Sequence, residues 1–421
     1  MRDVYVAAVG LIPFGRHEDK SVKDLARWVM GNLFSHTSLD QRDLQAAWMS
    51  NAGWGMADGQ HCIRGQVALA PLGISDIPVM NVENACAGGA SAFHGAWLGV
   101  AAEAYDIALA VGVEKMSVPK SADAATKKKS FDNFIAGTDV EVTRAFIENL
   151  KVQAEQKRKE MEASGEIKKG EGSGDRSAFM DIYSMAARAH MKAYGTTQEQ
   201  LAAIAAKNHC QGALNPDAQY KFPMTTEEVM NDRLVSFPLT RAMCAPMGDG
   251  AAAAVLVSGN VLDRLDGVAP IKIRASVLAA GGTSGGDREK GVAERAYEVA
   301  GLGPEDVDFA EVHDATAFGE LVQTEKLGFC QEGEGGPFAE SGATAVGGAK
   351  PVNPSGGLEC RGHPIGATGL AQVAELVYQL RGDAGERQVE GARIGLSQNA
   401  GGFLGMGEAA LAIHILEGPG A

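Results

Sequence analysis

The sequence predicts an α/β fold built twice over, with one small-residue helix in each half opening beside a reactive side chain. Three observations predict it. Apolar runs of strand length alternate with helical stretches from the first residues onward. The order of elements after Ile271 repeats the order before it. ENACAGGASA and GHPIGATGLA stand at corresponding places, each followed by a helix and then a strand. At 421 residues the chain also exceeds the length at which single cores usually stop growing.

In order, Val4 to Gly10 reads as a buried strand, Val22 to Leu33 as a helix, Leu44 to Ala52 as strand plus turn and Pro78 to Glu83 as a strand. A small-residue helix runs from Cys86 to about Ala104. The strand Asp106 to Val113 after it has the continuous apolar character of a strand covered on both faces. The texture then turns polar until Tyr194, with a Gly/Ser-rich loop, GEGSGD, at 170–175. A helix resumes at Thr197 to Lys207, and Asp249 to Val257 returns as a strand to the first core. The second set is strand Ile271–Val277, a helix near Val292–Ala300, strand Val307–Val312, a helix from about Gly362 to Leu380 and strand Arg393–Leu396. The chain is thereby divided into a first half (1–115 and 196–262), an inserted segment (116–195) and a second half (263–421).

A net charge of −15 argues against a nucleic-acid partner, whose phosphates it would repel. The six cysteines show no CxxC spacing, so neither a metal site nor a disulfide framework is indicated and a reducing, cytoplasmic setting is expected. No apolar run approaches the ~20 residues of a membrane span, and the first residues read as strand plus turn rather than a secretory leader.

Four segments carry residues suited to chemistry. Cys86 lies between a strand and a helix start, where backbone N–H groups and the helix dipole favour a thiolate with a lowered pKa. A small cysteine buried in a tight helix contact is the alternative. His363 also opens an expected helix, with Pro364 in its first turn, and could take a thiol proton or polarise a carbonyl. His313, trailed by Asp314, ends an apolar strand, where α/β sites tend to sit. Asn399-Ala-Gly-Gly follows the strand RIGLS and offers N–H donors for an oxyanion, or is only a glycine turn.

NACAGGASA, EVHDATAFGEL, NPSGGLECRGHPIGATGLAQ and GLSQNAGGFLG resemble, in order and over nearly the whole chain, the four signature segments of thiolases. His313 in place of asparagine, LGFCQEGEGG at 327–336 and AELVYQLRG at 374–382 are similar in particular to the sterol-carrier-protein type. The resemblance implies a five-layered αβαβα fold of two βαβαβαββ halves with an inserted loop domain, usually assembled as a homodimer or a dimer of dimers. It implies Cys86 as nucleophile, His363 as its activator and an oxyanion donor, and His313 as the orienter of a water or a direct donor. The N–H groups of Cys86 and Gly402 are implied for a second oxyanion hole. No bound cofactor is implied. Coenzyme A thioesters are implied as the substrates, cleaved by thiolysis of a 3-ketoacyl-CoA or joined by Claisen condensation.

The chain departs from the pattern at the second acid/base cysteine, whose two expected places hold Ala315 and Asn399. Cys360, three residues before His363, is a candidate substitute or a small packed side chain. Without a second cysteine, Cys86, His313 and His363 resemble the set of decarboxylating ketosynthases, so acyl transfer to a non-thiol acceptor stays open. A retro-aldolase on branched, steroid-like 3-hydroxyacyl-CoA with a small OB-fold partner protein is a further alternative, against which the retained Cys86 weighs. A non-enzymatic acyl-CoA-binding scaffold is the remaining one. Lys127, Lys128, Lys129, Lys151, Lys157, Arg158 and Lys159 in the insert form either a face that steers CoA phosphates or a solvated helix with interleaved Glu155, Glu160 and Glu162.

Overall fold

The computed structural model describes residues 1–118, 136–145, 148, 178–281, 288–404 and 407–420. The loop expected at 170–175 and the basic cluster from Lys127 to Lys159 lie outside the described residues.

The first half contributes strands β1 (Val4–Leu11), β2 (Ala46–Ser50), β3 (Val79–Val82) and β4 (Ile107–Glu114). A two-stranded ribbon, β5 (Leu234–Ser236) and β6 (Leu239–Thr240), precedes β7 (Gly250–Ser258). The second half contributes β8 (Ile271–Ala280), β9 (Phe309–Glu311), β10 (Ile394–Leu404) and β11 (Gly407–Glu417). The main sheet runs β3-β2-β4-β7-β1-β8-β11-β10-β9. Read outward from the β1/β8 seam, both halves place their first strand beside their last, then the penultimate, then the second. The pairing senses also match. β2/β4 and β9/β10 are parallel, whereas β4/β7, β1/β7, β10/β11 and β8/β11 are antiparallel. A parallel bridge from Ala310 to Val352 stands where β3 stands in the first half. The duplication is thus present in the topology. In the sheet the halves pair at the seam through Tyr5–Lys272 and Val6–Ile271.

The helices used below are α1 (Val22–Phe34), α2 (Arg64–Leu69), α3 (Gly88–Ala101), α4 (Ala178–Tyr194), α5 (Gln198–Ala213), α6 (Arg288–Ala300), α7 (Ala317–Lys326), α8 (Gly357–Arg361) and α9 (Thr368–Arg381). Ser21 and Asp24 cap α1 reciprocally, as Thr197 and Gln200 cap α5, satisfying donors that each helix start leaves free. Leu25, Val29 and Leu33 of α1, with Leu69 of α2, cover one outer sheet face with Met49, Val111 and Val255. Val292 and Ala296 of α6 cover the other with Val277, Leu396 and Ile413. Between the two halves Phe93 and Ala96 of α3 meet Leu370, Val373 and Val377 of α9, flanked by Val6, Ala110, Leu256, Ile273 and Phe309. The layers are therefore helix, sheet, helix, sheet, helix.

The glycines of the two central helices explain why their starts come so close. A Cβ on Gly369 would lie 2.4 Å from the Ala90 nitrogen, and one on Gly89 would lie 3.0 Å from the Gly366 oxygen. Backbone therefore packs on backbone where α3 and α9 begin.

Several boundaries differ from expectation. α3 begins at Gly88, so Cys86 precedes it by two residues, and α9 begins at Thr368, five residues after His363. The strand expected to end at Leu396 instead continues as β10 to Leu404, so Asn399 to Gly402 lie within it rather than in a glycine turn. α4 occupies the end of the segment read as polar insert, and β11 follows where no further strand was expected.

Candidate active site

Cys86 sits on a tight loop after β3. Ala85 adopts φ +46°, a left-handed conformation that costs a residue with a Cβ and that the surrounding bonds hold in place. Its N–H donates to Glu83 Oε1 at 2.6 Å, Ala87 and Gly88 donate to Asn84 and Ala85, and Asn84 Nδ2 donates to Ser91 Oγ at 2.9 Å. Gly401 of β10 lies against this loop, because a Cβ there would stand 2.4 Å from the Ala87 nitrogen.

His363 arrives from the second half on the turn between α8 and α9. Glu114, at the end of β4, fastens that turn to the first half. Its buried carboxyl accepts from Ala52 N (2.8 Å), Gly53 N (2.9 Å), Asn51 Nδ2 (3.0 Å) and Gly366 N (3.1 Å). His313 follows β9, its N–H held by Gln398 Oε1 at 2.9 Å. Asp314 beside it does not face the thiol: it accepts from Leu358 N at 2.8 Å and Glu359 N at 3.3 Å, tying the His313 loop to the helix that leads to His363.

These loops bring together one cysteine and two histidines. Cys86 Sγ and one ring nitrogen from each of His313 and His363 lie within 4.8 Å of one another. The imidazoles meet edge to face, with ring centroids 5.2 Å apart. Thr368 Oγ1 donates to the Pro364 carbonyl at 3.0 Å, so at 2.8 Å from His363 Nδ1 it must accept. Nδ1 therefore carries the proton, and the lone pair sits on Nε2, which is buried without a protein partner among the described residues. His313 has the complementary arrangement. Asn399 Nδ2 donates to Gln372 Oε1 at 2.9 Å and lies 3.3 Å from His313 Nδ1, which leaves Nε2 to carry hydrogen.

The electrostatics correct the expectation of a resting thiolate. Burial pushes the Cys86 thiol up to about 12, reinforced by the Glu408 carboxyl, while the N–H groups of Cys86 and Gly402 pull the other way. Cys86 stands outside the first helical turn, so the dipole does not outweigh desolvation. Burial lowers His313 to about 4, and burial, then His313 and Arg361, hold His363 well below the usual imidazole range. The site at rest is a neutral thiol beside two neutral imidazoles.

Gly402 lies in β10 with φ +66°, and the effect of its N–H on the Cys86 sulfur places that donor at the site. Cys360 is not brought there: it is fully buried on α8, and a Cβ on Gly212 of α5 would stand 2.5 Å from its own Cβ. Ala315 presents only a methyl, and Asn399 addresses His313 rather than the thiol. Sequence reasoning missed Thr368, Gln372 and Gln398, which orient the histidines and their neighbours; polar residues recurring beside the histidine segments were the available signal. It also missed Glu408 on β11.

Residues 4–236 match the thiolase N-terminal domain and residues 288–414 the thiolase C-terminal domain-like family. The chain is 37% identical to the acetyl-CoA acetyltransferase of Methanothermobacter thermautotrophicus, covering 99% of each chain. It is 32% identical to sterol carrier protein 2 of Bos taurus, covering 94% of this chain and 70% of that protein. The solved structure of an Ltp2-ChsH2(DUF35) aldolase superposes with a TM-score of 0.75 at 20% identity, covering 100% of this chain and 98% of that one, a likeness of fold. With both domain matches in register with the duplicated halves, and a full-length relative of this closeness, the chain belongs to the thiolase family and is an acyltransferase of that superfamily.

Proposed function

We propose that the protein transfers acyl groups between coenzyme A thioesters through an acyl-Cys86 intermediate, in thiolysis of a 3-ketoacyl-CoA or its reverse, Claisen condensation. The observation that carries this reading is the unpartnered lone pair of His363 Nε2 beside the Cys86 thiol. His363 takes the thiol proton as Sγ adds to the thioester or ketone carbonyl, so thiolate forms only as it is consumed. His313 Nε2–H, in the tautomer that Asn399 sets at Nδ1, faces the developing oxyanion, and the N–H groups of Cys86 and Gly402 supply a second set of donors. Retro-aldol cleavage of a 3-hydroxy thioester would leave this Cys–His pair without a task, so acyl transfer is the favoured reading.

The test is CoA-dependent cleavage of acetoacetyl-CoA by the purified protein and by Cys86→Ala. Turnover abolished by the substitution supports the reading. Equal turnover by the variant, or consumption of a 3-hydroxyacyl-CoA instead, overturns it.

A further inference from the structure

An acyl-Cys86 cycle needs a second proton carrier, and Ala315, Asn399 and Cys360 do not supply one. We propose that the carboxyl group of Glu408 is this carrier, a catalytic residue exchanging protons with the departing acetyl-CoA carbon and the incoming CoA thiol; the assignment rests on the acyl-Cys86 reading above.

Strand alternation sets the direction of the side chain. On β11, Leu411, Ile413 and Ile415 fill the outer core against α6, whereas His414 packs on Phe93 of α3 at 4.7 Å between centroids and Leu416 joins the central core. Even-numbered positions, Glu408 among them, therefore face the layer that holds Cys86. The register puts Glu408 opposite Phe403, two residues from Gly401, whose backbone lies on the Cys86 loop. Diagonal cross-strand neighbours stand about 7–8 Å apart, within reach of a long side chain. Tyr183 of α4 closes the far side, its ring edge-on to Phe403 at 5.6 Å.

The chemistry of this half-buried carboxyl fits the task. Among the described residues no hydrogen-bond donor satisfies it, and burial with the charge of Glu289 on α6 pushes it well above the carboxylate range. Of the two carboxyl groups that bear on the Cys86 thiol, Glu408 has the larger effect and Glu114 the smaller. The titratable groups facing it among the described residues are Glu289, Cys86 and Tyr183, and the Tyr183 phenol is itself pushed far up by burial and by Glu408, so it is no base.

In the thiolysis direction Cys86 Sγ adds to C3 of the 3-ketoacyl-CoA and the C2–C3 bond breaks. The electron pair left on C2 takes the proton of the Glu408 carboxylic acid, and acetyl-CoA departs. The Glu408 carboxylate then accepts the thiol proton of CoA, whose sulfur displaces Cys86 from the acyl group. The Cys86 thiolate recovers its proton from His363, and both residues return to their starting forms.

The test compares the full-length protein with Glu408→Gln and Glu408→Asp. Iodoacetamide labelling of Cys86 reads whether the site is folded and reactive, and CoA-dependent acetoacetyl-CoA cleavage reads the cycle. Glu408→Gln is expected to label within about threefold of the unsubstituted rate but to lose about 100-fold or more in turnover, as removal of a general acid–base does. Glu408→Asp should recover part of that loss, and the pH profile of the residual Glu408→Gln activity should lack one limb. Turnover by Glu408→Gln within about threefold of the unsubstituted protein overturns the assignment, as does loss of Cys86 labelling, which marks a structural role. If the unsubstituted protein neither acylates Cys86 nor turns over, the underlying acyl-Cys86 reading fails and takes this assignment with it.

Discussion

At the scale of single residues, burial holds the three side chains of the candidate site in their neutral forms. Cys86 is held near 12 and His313 near 4. A thiol raised this far stays protonated through neutrality, so its alkylation by iodoacetamide should keep rising with pH to at least pH 10, without the plateau near neutrality that a helix-start thiolate would give. In the proposed reaction His363 acts as a base in its neutral form, and a lowered folded-state pKa keeps it neutral as pH falls. Its acid limb should therefore lie below the ordinary histidine value of about 6.5, leaving acylation of Cys86 level between pH 8 and 6.5. A rate that falls through pH 6.5 would contradict the assignment of the tautomer and its burial. Thr368→Val should test the tautomer itself. It removes the acceptor for Nδ1–H while keeping the volume, and a loss of about tenfold in acylation with fold and Cys86 accessibility intact is expected from loss of one orienting hydrogen bond.

At the scale of elements, the site depends on how closely two helix starts approach. Gly369→Ala would place a methyl against the Ala90 backbone, which cannot move aside like a flexible side chain. Destabilisation of about 1–3 kcal/mol in urea unfolding is expected, with a larger proportional loss of activity because Cys86 and His363 separate. The sequence made these helices legible through their small residues but misplaced both starts. Small residues continue a helical pattern upstream, whereas the actual stops are conformational: Ala85 at φ +46° and Gly362 at φ +100°. β11 was missed for a related reason. EAALAIHILE is buried on both faces, so it shows no polar alternation, and its alanines favour helix on propensity alone. Glu408 went unnoticed with it, because its meaning depends on a strand the pattern did not reveal.

At the scale of the whole molecule, duplication is more than a sequence echo. The two halves meet through two residue pairs at the sheet seam, while α3 and α9 share one central core. Neither half can bury its inner face alone, so thermal unfolding should be a single calorimetric transition, and two separated transitions would show independent halves. The same architecture delivers Cys86 from one half and His363 and His313 from the other, with Glu114 clamping the junction. That pairing of Cys and His at duplicated helix starts was legible in the sequence; the orientation of the imidazoles was not, since it rests on Thr368, Asn399 and Gln372 converging from separate elements. The measurement that tests the account most directly is intact-protein mass spectrometry after brief incubation with acetyl-CoA or acetoacetyl-CoA, alongside Cys86→Ala. The account predicts a single acetyl adduct on the unsubstituted protein and none on the variant. An adduct that persists in Cys86→Ala, or folded protein that acquires none from either donor, would contradict it.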